Sequence, residues 1–290
     1  MYAIDITGNV WRVDLDGSKS LSSPDFATVG KIASLSDVSH NRKFYNSLDI
    51  SRSRARSGSD HYNLVVGSGY RANPRHEETY ENRFYVLFDD YRFKRDLEDD
   101  QEDNRYNYFE YETSNGDLKY RQVVASDLVK STFDDPATKF THRTEGEGEN
   151  EVELSQTING FYVTFEKGEK ILQSSITFDS EILFASYLPD GGTASACGGS
   201  LGSSRAYLLS LLTGLSVRDE HNEQDDEDDG NGGSNDDDEN AEGEDLNRSG
   251  ITVDPSVIIG EQLTVCFGTE CKDFDWDSGK AEKTYWREEN

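Results

Sequence analysis

The sequence is short of apolar residues and has no long hydrophobic run, and both shortages restrict what the chain can be. Apolar residues make up 33% of the 290 positions, and Met occurs only once. No stretch approaches the roughly 20 consecutive apolar residues that a membrane-spanning helix needs, so we predict no transmembrane segment. Residues 1–5 lack the basic start and apolar run of a secretory signal peptide. Because the sequence opens directly in a strand pattern, we expect an export signal farther upstream in a longer precursor.

Basic residues are also scarce. The chain has 29 Lys and Arg against 58 Asp and Glu, which gives a formal net charge of -29. Such a charge argues against nucleic acid or anionic lipid as a partner, because both carry the same sign. The run from Asp219 to Asp245 holds 15 acidic and no basic residues. It cannot bury enough apolar surface to offset the entropy of ordering, so residues 219–245 are predicted to be a disordered acidic loop within a single domain, 1–290.

Cysteine is limited to three positions, Cys197, Cys266 and Cys271. One interpretation is three unpaired thiols; the other is a local disulfide in an oxidising compartment. If Gly268 and Thr269 form a two-residue turn, Cys266 and Cys271 become a non-hydrogen-bonded pair with close Cβ atoms. This register predicts the disulfide Cys266–Cys271 and an unpaired Cys197. Zinc is not expected, because no second Cys pair or neighbouring His completes a tetrahedral set.

Helical patterns are rare, and most of the sequence alternates between strand and turn signals. Trp11, Val13 and Leu15 share one side of a strand that follows the turn at residues 7–9, so this apolar side is expected to be buried. Further strands are predicted at residues 63–67, 84–88, 161–165, 182–187, 206–211, 215–217, 257–259 and 263–267. Short strands at even spacing, with many aromatic residues, predict an all-β fold, either a β-propeller or a β-sandwich.

No arrangement typical of catalysis or phosphate binding is visible. The five histidines stand in polar, loop-like surroundings and are predicted to be solvated; they are His40, His61, His76, His142 and His221. Gly67 and Gly69 flank Ser68, but no helix follows that would bind a phosphate. These glycines are interpreted as a tight exit from a strand. We therefore predict no catalytic residues.

One loose calcium pattern occurs in an acidic stretch. Its candidate ligands occupy positions 1, 3, 5, 9 and 12 of a calcium loop: Asp99, Gln101, Asp103, Asn107 and Glu110. Asn104 stands where such a loop needs Gly for its sharp turn, and Tyr106 fills a position that is usually aliphatic. A solvated acidic turn is the alternative interpretation.

A set of short motifs runs through nearly the whole chain in a fixed order. Residues 2–15 contain Tyr-x-x-Asp-x-x-Gly-Asn-x-Trp-Arg-x-Asp-Leu, and residues 168–172 contain Gly-Glu-Lys-Ile-Leu. The other motifs are residues 41–49, 65–71, 82–89, 160–162, 183–189, 197–199, 206–214 and 285–287. In order and spacing these motifs resemble the PilC/PilY family of type IV pilus biogenesis and adhesion proteins.

The resemblance implies a modified seven-bladed β-propeller that forms the C-terminal part of a longer protein. It implies export to the periplasm, the outer membrane or the pilus tip, and a role in surface attachment and twitching motility. The implied partners are pilus and minor pilin subunits and a host or surface receptor. Family members can also carry a calcium loop just before the first Trp-Arg strand, which in this chain would lie upstream of Met1.

The resemblance further implies a protein that is not an enzyme. The alternative is a quinoprotein-like, PQQ-dependent dehydrogenase, because such enzymes use related propellers. That class needs a cofactor pocket, a catalytic carboxylate and usually an adjacent Cys pair. The three cysteines of this chain are never adjacent, so the binding protein is the preferred hypothesis.

Overall fold

A computed structural model describes residues 1–23, 26–36, 39–54, 60–76, 79–89, 94–95, 109–112, 118–120, 123–131, 142–145, 152–155, 159–189, 201–216, 244–259 and 263–274. These residues form strands, turns and a 3-10 helix at Ala125–Asp127, and none of them is α-helical. The predicted all-β class is confirmed. In this described part of the chain, no helix has the length and apolar character needed to cross a membrane.

The strands follow the chain in this order: β1 Tyr2–Ile4, β2 Asn9–Leu15, β3 Ala27–Ser34, β4 Asp49–Arg54, β5 Asp60–Gly67, β6 Arg83–Asp89, β7 Lys94–Arg95, β8 Phe109–Glu112, β9 Leu118–Tyr120, β10 Val123–Val124, β11 Val129–Lys130, β12 His142–Glu145, β13 Val152–Ser155, β14 Gly160–Thr164, β15 Ile176–Phe178, β16 Glu181–Leu188, β17 Ser203–Ser210, β18 Glu244–Ser249, β19 Pro255–Ile259, β20 Leu263–Phe267 and β21 Glu270–Phe274.

Four sheets carry the architecture. The first sheet has the order β1-β2-β3-β10, and the second has the order β11-β14-β6-β5-β4. The third sheet has the order β15-β16-β17-β18, and the fourth has the order β19-β20-β21. Strands β7-β8-β9 and β12-β13 form two small additional sheets. Within the described residues, no sheet closes on itself.

The four sheets pack in series, because the central strands are apolar on both sides. In β5, Leu64 and Val66 belong to the core shared with the first sheet, whereas Val65 belongs to the core shared with the third. In β16, Phe184 faces the second sheet and Leu183 packs with residues of the fourth. This double burial explains the continuous apolar runs that predicted these strands. Sheets stacked in series are typical of a propeller and differ from the two sheets of a sandwich.

The segment at residues 123–131 covers the edges of two adjacent sheets. Strand β10 pairs in parallel with β3 at the edge of the first sheet. After the 3-10 helix, β11 pairs in parallel with β14 at the edge of the second sheet. Leu128 lies between them and is buried in the core that the first and second sheets share. The segment therefore ties two neighbouring sheets together.

The expected orientation of strand β2 is wrong. Its buried positions are Val10 and Arg12, whereas Trp11 and Val13 are only partly buried and Leu15 is exposed. The polar side of the strand faces inward because Arg12 has a buried carboxylate partner, Asp89. The predicted strand at residues 215–217 is described only as far as Ser216, which makes an isolated bridge with Leu209. Residues 219–243 of the predicted acidic loop lie outside the described residues. Its last two residues, 244 and 245, begin strand β18.

Candidate functional site

The calcium candidate falls largely outside the described residues. Asp99, Gln101, Asp103 and Asn107 are not among them, so the hypothesis stays a prediction. Glu110 lies in strand β8, where its backbone pairs with Lys94 and Tyr120. In the part of the chain that the structure describes, no group of three or more His, Cys, Asp or Glu side chains is placed to hold a metal ion.

The cysteine hairpin has the register expected from a two-residue turn. Phe267 pairs with Glu270, and Cys266 pairs with Cys271. Gly268 adopts a φ of 71° in the turn, and the two cysteines form a disulfide with their Cα atoms 4.0 Å apart. Cys197 lies outside the described residues.

The carboxylate of Glu169 is a buried titratable group with partners on two neighbouring strands. A turn at residues 166–169, in which Gly168 adopts a φ of 95°, directs this side chain toward the third sheet. Its Oε1 accepts hydrogen bonds from Ser186 and from the hydroxyl of Tyr207, the latter at 2.6 Å. Arg205 Nη1 lies 3.8 Å from Oε2 and 2.5 Å from the carboxylate of Glu166. We call these five residues the Glu169 cluster.

Burial dominates the electrostatics of this cluster. It raises the pKa of Glu169 above the ordinary value of a glutamate, and the hydrogen bonds from Ser186 and Tyr207 and the charge of Arg205 oppose this only in part. Burial and the neighbouring carboxylate of Glu169 raise the pKa of Tyr207. The pKa of Arg205 is raised although its burial acts to lower it, because Glu166 and Glu169 stabilise the cation. The cluster thus holds a buried carboxylate between two hydroxyl donors and a guanidinium.

The geometry of the Glu169 cluster is that of a structural cross-link. Glu169 is 1% exposed, so a substrate in solvent does not reach its carboxylate. A general acid or base must lie within hydrogen-bond reach of the proton that it transfers. Here the carboxylate already accepts hydrogen bonds from Ser186 and Tyr207, on strands β16 and β17. The cluster therefore fixes the segment that carries Glu169 to the third sheet.

The same segment, residues 168–173, is bonded to the second sheet on its other side. Ile171 N donates to Ser68 O at 3.0 Å, and Asn82 Nδ2 donates to Glu169 O at 2.9 Å. Lys170 exchanges two backbone hydrogen bonds with Tyr187 of the third sheet, at 2.9 and 2.8 Å. We call residues 168–173 the bridging segment, because backbone or side-chain bonds join it to both sheets.

The two glycines around Ser68 serve this contact. A Cβ on Gly67 would lie 2.3 Å from Ile171 Cβ, and one on Gly69 would lie 2.8 Å from the carbonyl oxygen of Ile171. The earlier interpretation as a tight strand exit is therefore incomplete, because the glycines also admit the bridging segment. No phosphate site is formed by them, since Ser68 donates its hydroxyl to Asn82 and its carbonyl accepts from Ile171.

The described histidines divide between turns and strands. His76 is exposed and His40 is partly buried, and each contacts a tyrosine ring edge-on, His40 with Tyr80 and His76 with Tyr70. His61 and His142 lie in strands β5 and β12, so their predicted position in loops is wrong. Strand β5 begins before the apolar run that predicted it, and β12 was not predicted from the sequence. His221 lies outside the described residues.

One exposed surface combines aromatic and basic side chains. It is formed by residues 40–45 and 70–76 together with Tyr80, and we call it the cationic patch. Tyr45 is 37% exposed, and its ring stacks on that of Tyr70 with 6.2 Å between centroids. Arg71 and Arg75 follow Tyr70 closely in the sequence and are exposed, and Lys43 is partly exposed. The sequence alone did not identify this surface, because its two halves are some 30 positions apart.

Comparison with known proteins supports the architecture and not a detailed assignment. No family model matches the chain, and no curated protein matches it. It is similar to the crystal structure of the Pseudomonas aeruginosa PilY1 C-terminal domain, with a TM-score of 0.52 and 17% sequence identity. The match covers 93% of this chain and 56% of that one, so this chain spans about half of the PilY1 structure. The chain has a β-propeller-like fold. At this identity the likeness supports a distant relationship in fold, and the number of blades stays a prediction.

Proposed function

We propose that this chain is a binding domain of an exported, type IV pilus-related protein and that it does not act as an enzyme. The observation that carries the proposal is the similarity to the PilY1 C-terminal domain over 93% of the chain. The motifs that resemble the PilC/PilY family, described from the sequence, support the same class. Fold similarity alone does not fix function, so the chemistry of the described residues is the second support.

That chemistry favours a scaffold. Two buried ionisable side chains of the described residues have their partners inside the protein: Glu169 with Ser186 and Tyr207, and Arg12 with Asp89. Exposed aromatic and basic side chains lie instead on a loop surface, the cationic patch. A rigid β scaffold that presents its variable chemistry on loops is typical of binding proteins. The proposed role is therefore attachment or assembly through protein surfaces, at the pilus base or tip.

Deletion of the segment 1–290 from its parent gene tests the proposal. We expect fewer surface pili, or loss of pilus-dependent attachment and twitching, measured by electron microscopy and adhesion assays. The purified domain is expected to show no PQQ-type absorbance and no dye-linked oxidation of alcohols or sugars. Intact piliation, twitching and adhesion, together with loss of a dehydrogenase activity, would overturn the proposal in favour of the quinoprotein alternative.

A further inference from the structure

The cationic patch is a built surface and not a chance cluster of side chains. Its two halves are joined by the hydrogen bond from Gly69 N to Lys43 O at 2.8 Å, and Tyr80 donates its hydroxyl to Asn41 O at 2.8 Å. Beneath them, the buried side chain of Arg42 donates to Glu81 O at 2.9 Å and lies 5.5 Å from the ring of Tyr80. These bonds fix the backbone that presents Tyr45 and Tyr70. A partner would thus meet a preorganised surface, which reduces the entropy lost on binding.

The charge of the patch is opposite to that of the chain. One residue in five is acidic overall, 58 of 290, yet residues 39–48 and 68–76 contain no Asp or Glu. The same two stretches contain four basic residues: Arg42, Lys43, Arg71 and Arg75. Glu81 is exposed at the margin of the patch, and residues 77 and 78, both Glu, lie outside the described residues. Arg42 is buried, so the positive charge of the described surface comes from Lys43, Arg71 and Arg75.

The composition of the patch matches that of protein interfaces. Tyr and Arg are enriched at interface cores and among the residues that carry most of the binding energy, whereas Glu and Asp are depleted there. Tyr supplies a large contact area with few rotatable bonds. The stacked pair Tyr45 and Tyr70, beside Arg71, combines these properties on one exposed loop surface. We infer that the cationic patch docks a short acidic segment of a partner protein.

The chain's net charge decides which anionic partner fits. At physiological ionic strength, charges are screened over about 8 Å, so a short acidic peptide interacts mainly with the patch itself. A long polyanion, such as a nucleic acid or an extended acidic polysaccharide, would extend beyond the patch along a chain whose formal net charge is -29 and be repelled. The aromatic pair adds contact area for apolar side chains between the acidic ones. A protein segment is therefore favoured over the other two classes.

Fluorescence anisotropy with the full chain tests this inference. The probe is a labelled twelve-residue peptide of Asp, Glu, Leu and Ser, and the control peptide carries Asn and Gln in place of the acids. We expect the acidic peptide to bind with an affinity that falls as salt rises, and the neutral peptide to bind at least about tenfold more weakly. Arg71→Glu is expected to weaken the acidic peptide by about tenfold or more, because it reverses a charge in the patch.

Lys19→Glu is the matched control, because it makes the same change of charge at an exposed position. Lys19 lies in the connection between β2 and β3, whereas the patch adjoins the opposite end of that hairpin, where Leu35 N bonds Gly8 O and Phe44 N bonds Ile6 O. Its peptide affinity should stay within about twofold of the wild type. Tyr45→Ala should weaken binding and Tyr45→Phe should retain it, with circular dichroism verifying that each variant is folded.

Three results would overturn the inference. They are the absence of acidic peptide binding, an equal loss in Arg71→Glu and Lys19→Glu, and binding of a heparin fragment or single-stranded DNA in preference to the peptide. The inference rests on the proposed function only in that the domain acts by binding. Because the assay uses purified chain and peptide, its failure is distinct from a failure of the pilus assignment, which is measured on cells.

Discussion

Arg12 and Asp89 are 77 positions apart in the chain, yet Arg12 Nη1 lies 3.0 Å from both carboxylate oxygens of Asp89. The two side chains are 2% and 3% exposed. Tyr2 also donates its hydroxyl to Asp89 at 2.7 Å, and Asp14 accepts from the remaining guanidinium nitrogens of Arg12. Arg12 belongs to β2 and Asp89 ends β6, so this ion pair joins the first sheet to the second.

Removal of Asp89 should be strongly destabilising. Asp89→Ala leaves the guanidinium of Arg12 buried without its main partner, which typically costs about 3–5 kcal/mol. Urea unfolding followed by circular dichroism measures this loss. Asp14→Ala is the control, because Asp14 is 45% exposed and an exposed partner contributes about 1 kcal/mol or less. The double variant Arg12→Met/Asp89→Leu should recover much of the stability that Asp89→Ala loses. Equal costs for Asp89→Ala and Asp14→Ala would contradict the assignment.

The buried carboxylate of Glu169 should give the protein a distinct pH dependence. Burial raises its pKa in the folded state above the ordinary glutamate value of 4.5. The unfolded chain therefore releases this proton at a lower pH than the folded protein does. The stability that protonated Glu169 contributes is fully present below pH 4.5 and is lost as the pH rises through the folded-state pKa. We expect the wild type to lose stability relative to Glu169→Gln across that window, as measured by urea midpoints. The control Glu166→Gln removes a more exposed carboxylate of the same cluster, and parallel profiles for wild type and Glu169→Gln would argue against this account.

A methyl group at position 67 should disturb the contact with the bridging segment. In Gly67→Ala the new Cβ would lie 2.3 Å from Ile171 Cβ, and overpacking of this kind typically costs about 1–3 kcal/mol. Gly17→Ala is the matched control, because a Cβ there meets no atom within 4 Å. The pair Gly67→Ala/Ile171→Gly should cost less than the sum of its single variants, since glycine at position 171 removes the Cβ that the new methyl group would meet. A simple sum in chemical denaturation would mean that the contact does not limit packing.

The disulfide of the fourth sheet should contribute measurably to stability. In the chain-entropy model, a loop this short adds about 2 kcal/mol. The double variant Cys266→Ser/Cys271→Ser should therefore unfold at lower urea than the wild type, and Cys197→Ser should behave like the wild type. Mass spectrometry of non-reduced peptides provides the direct measurement. Detection of Cys266 and Cys271 as free thiols in exported protein would refute the pairing.

Features that depend on neighbouring residues could be predicted from the sequence. The register of the cysteine hairpin follows from the two residues of its turn, Gly268 and Thr269, because the turn length fixes which residues face each other. The central strands β5, β6 and β16 are visible as apolar runs, because both of their sides are buried between sheets. The resemblance to the PilC/PilY family also indicated a propeller, which local patterns alone did not separate from a sandwich.

Features that depend on distant residues could not be predicted. The alternation in β2 suggested that Trp11 and Val13 face inward, and only the position of Asp89 explains why Arg12 does so instead. Glu169 appeared in a Gly-Glu-Lys motif with no assigned role, because its partners Ser186 and Tyr207 lie 17 and 38 positions away. The cationic patch likewise requires contacts between two loops that the sequence separates.

The bridging segment is expected to couple the unfolding of the second sheet to that of the third. Separating these sheets would break the backbone hydrogen bond of Ile171 to Ser68 on one side and those of Lys170 with Tyr187 on the other. It would also expose the carboxylate of Glu169 to solvent. Gln173 extends the connection further, because its backbone accepts from Asn46 and its side chain donates to Thr252, ahead of the fourth sheet. Six residues with no regular secondary structure of their own therefore hold the neighbouring sheets together. We expect the second and third sheets to unfold as one cooperative unit, because parting them breaks the hydrogen bonds that this segment makes with both.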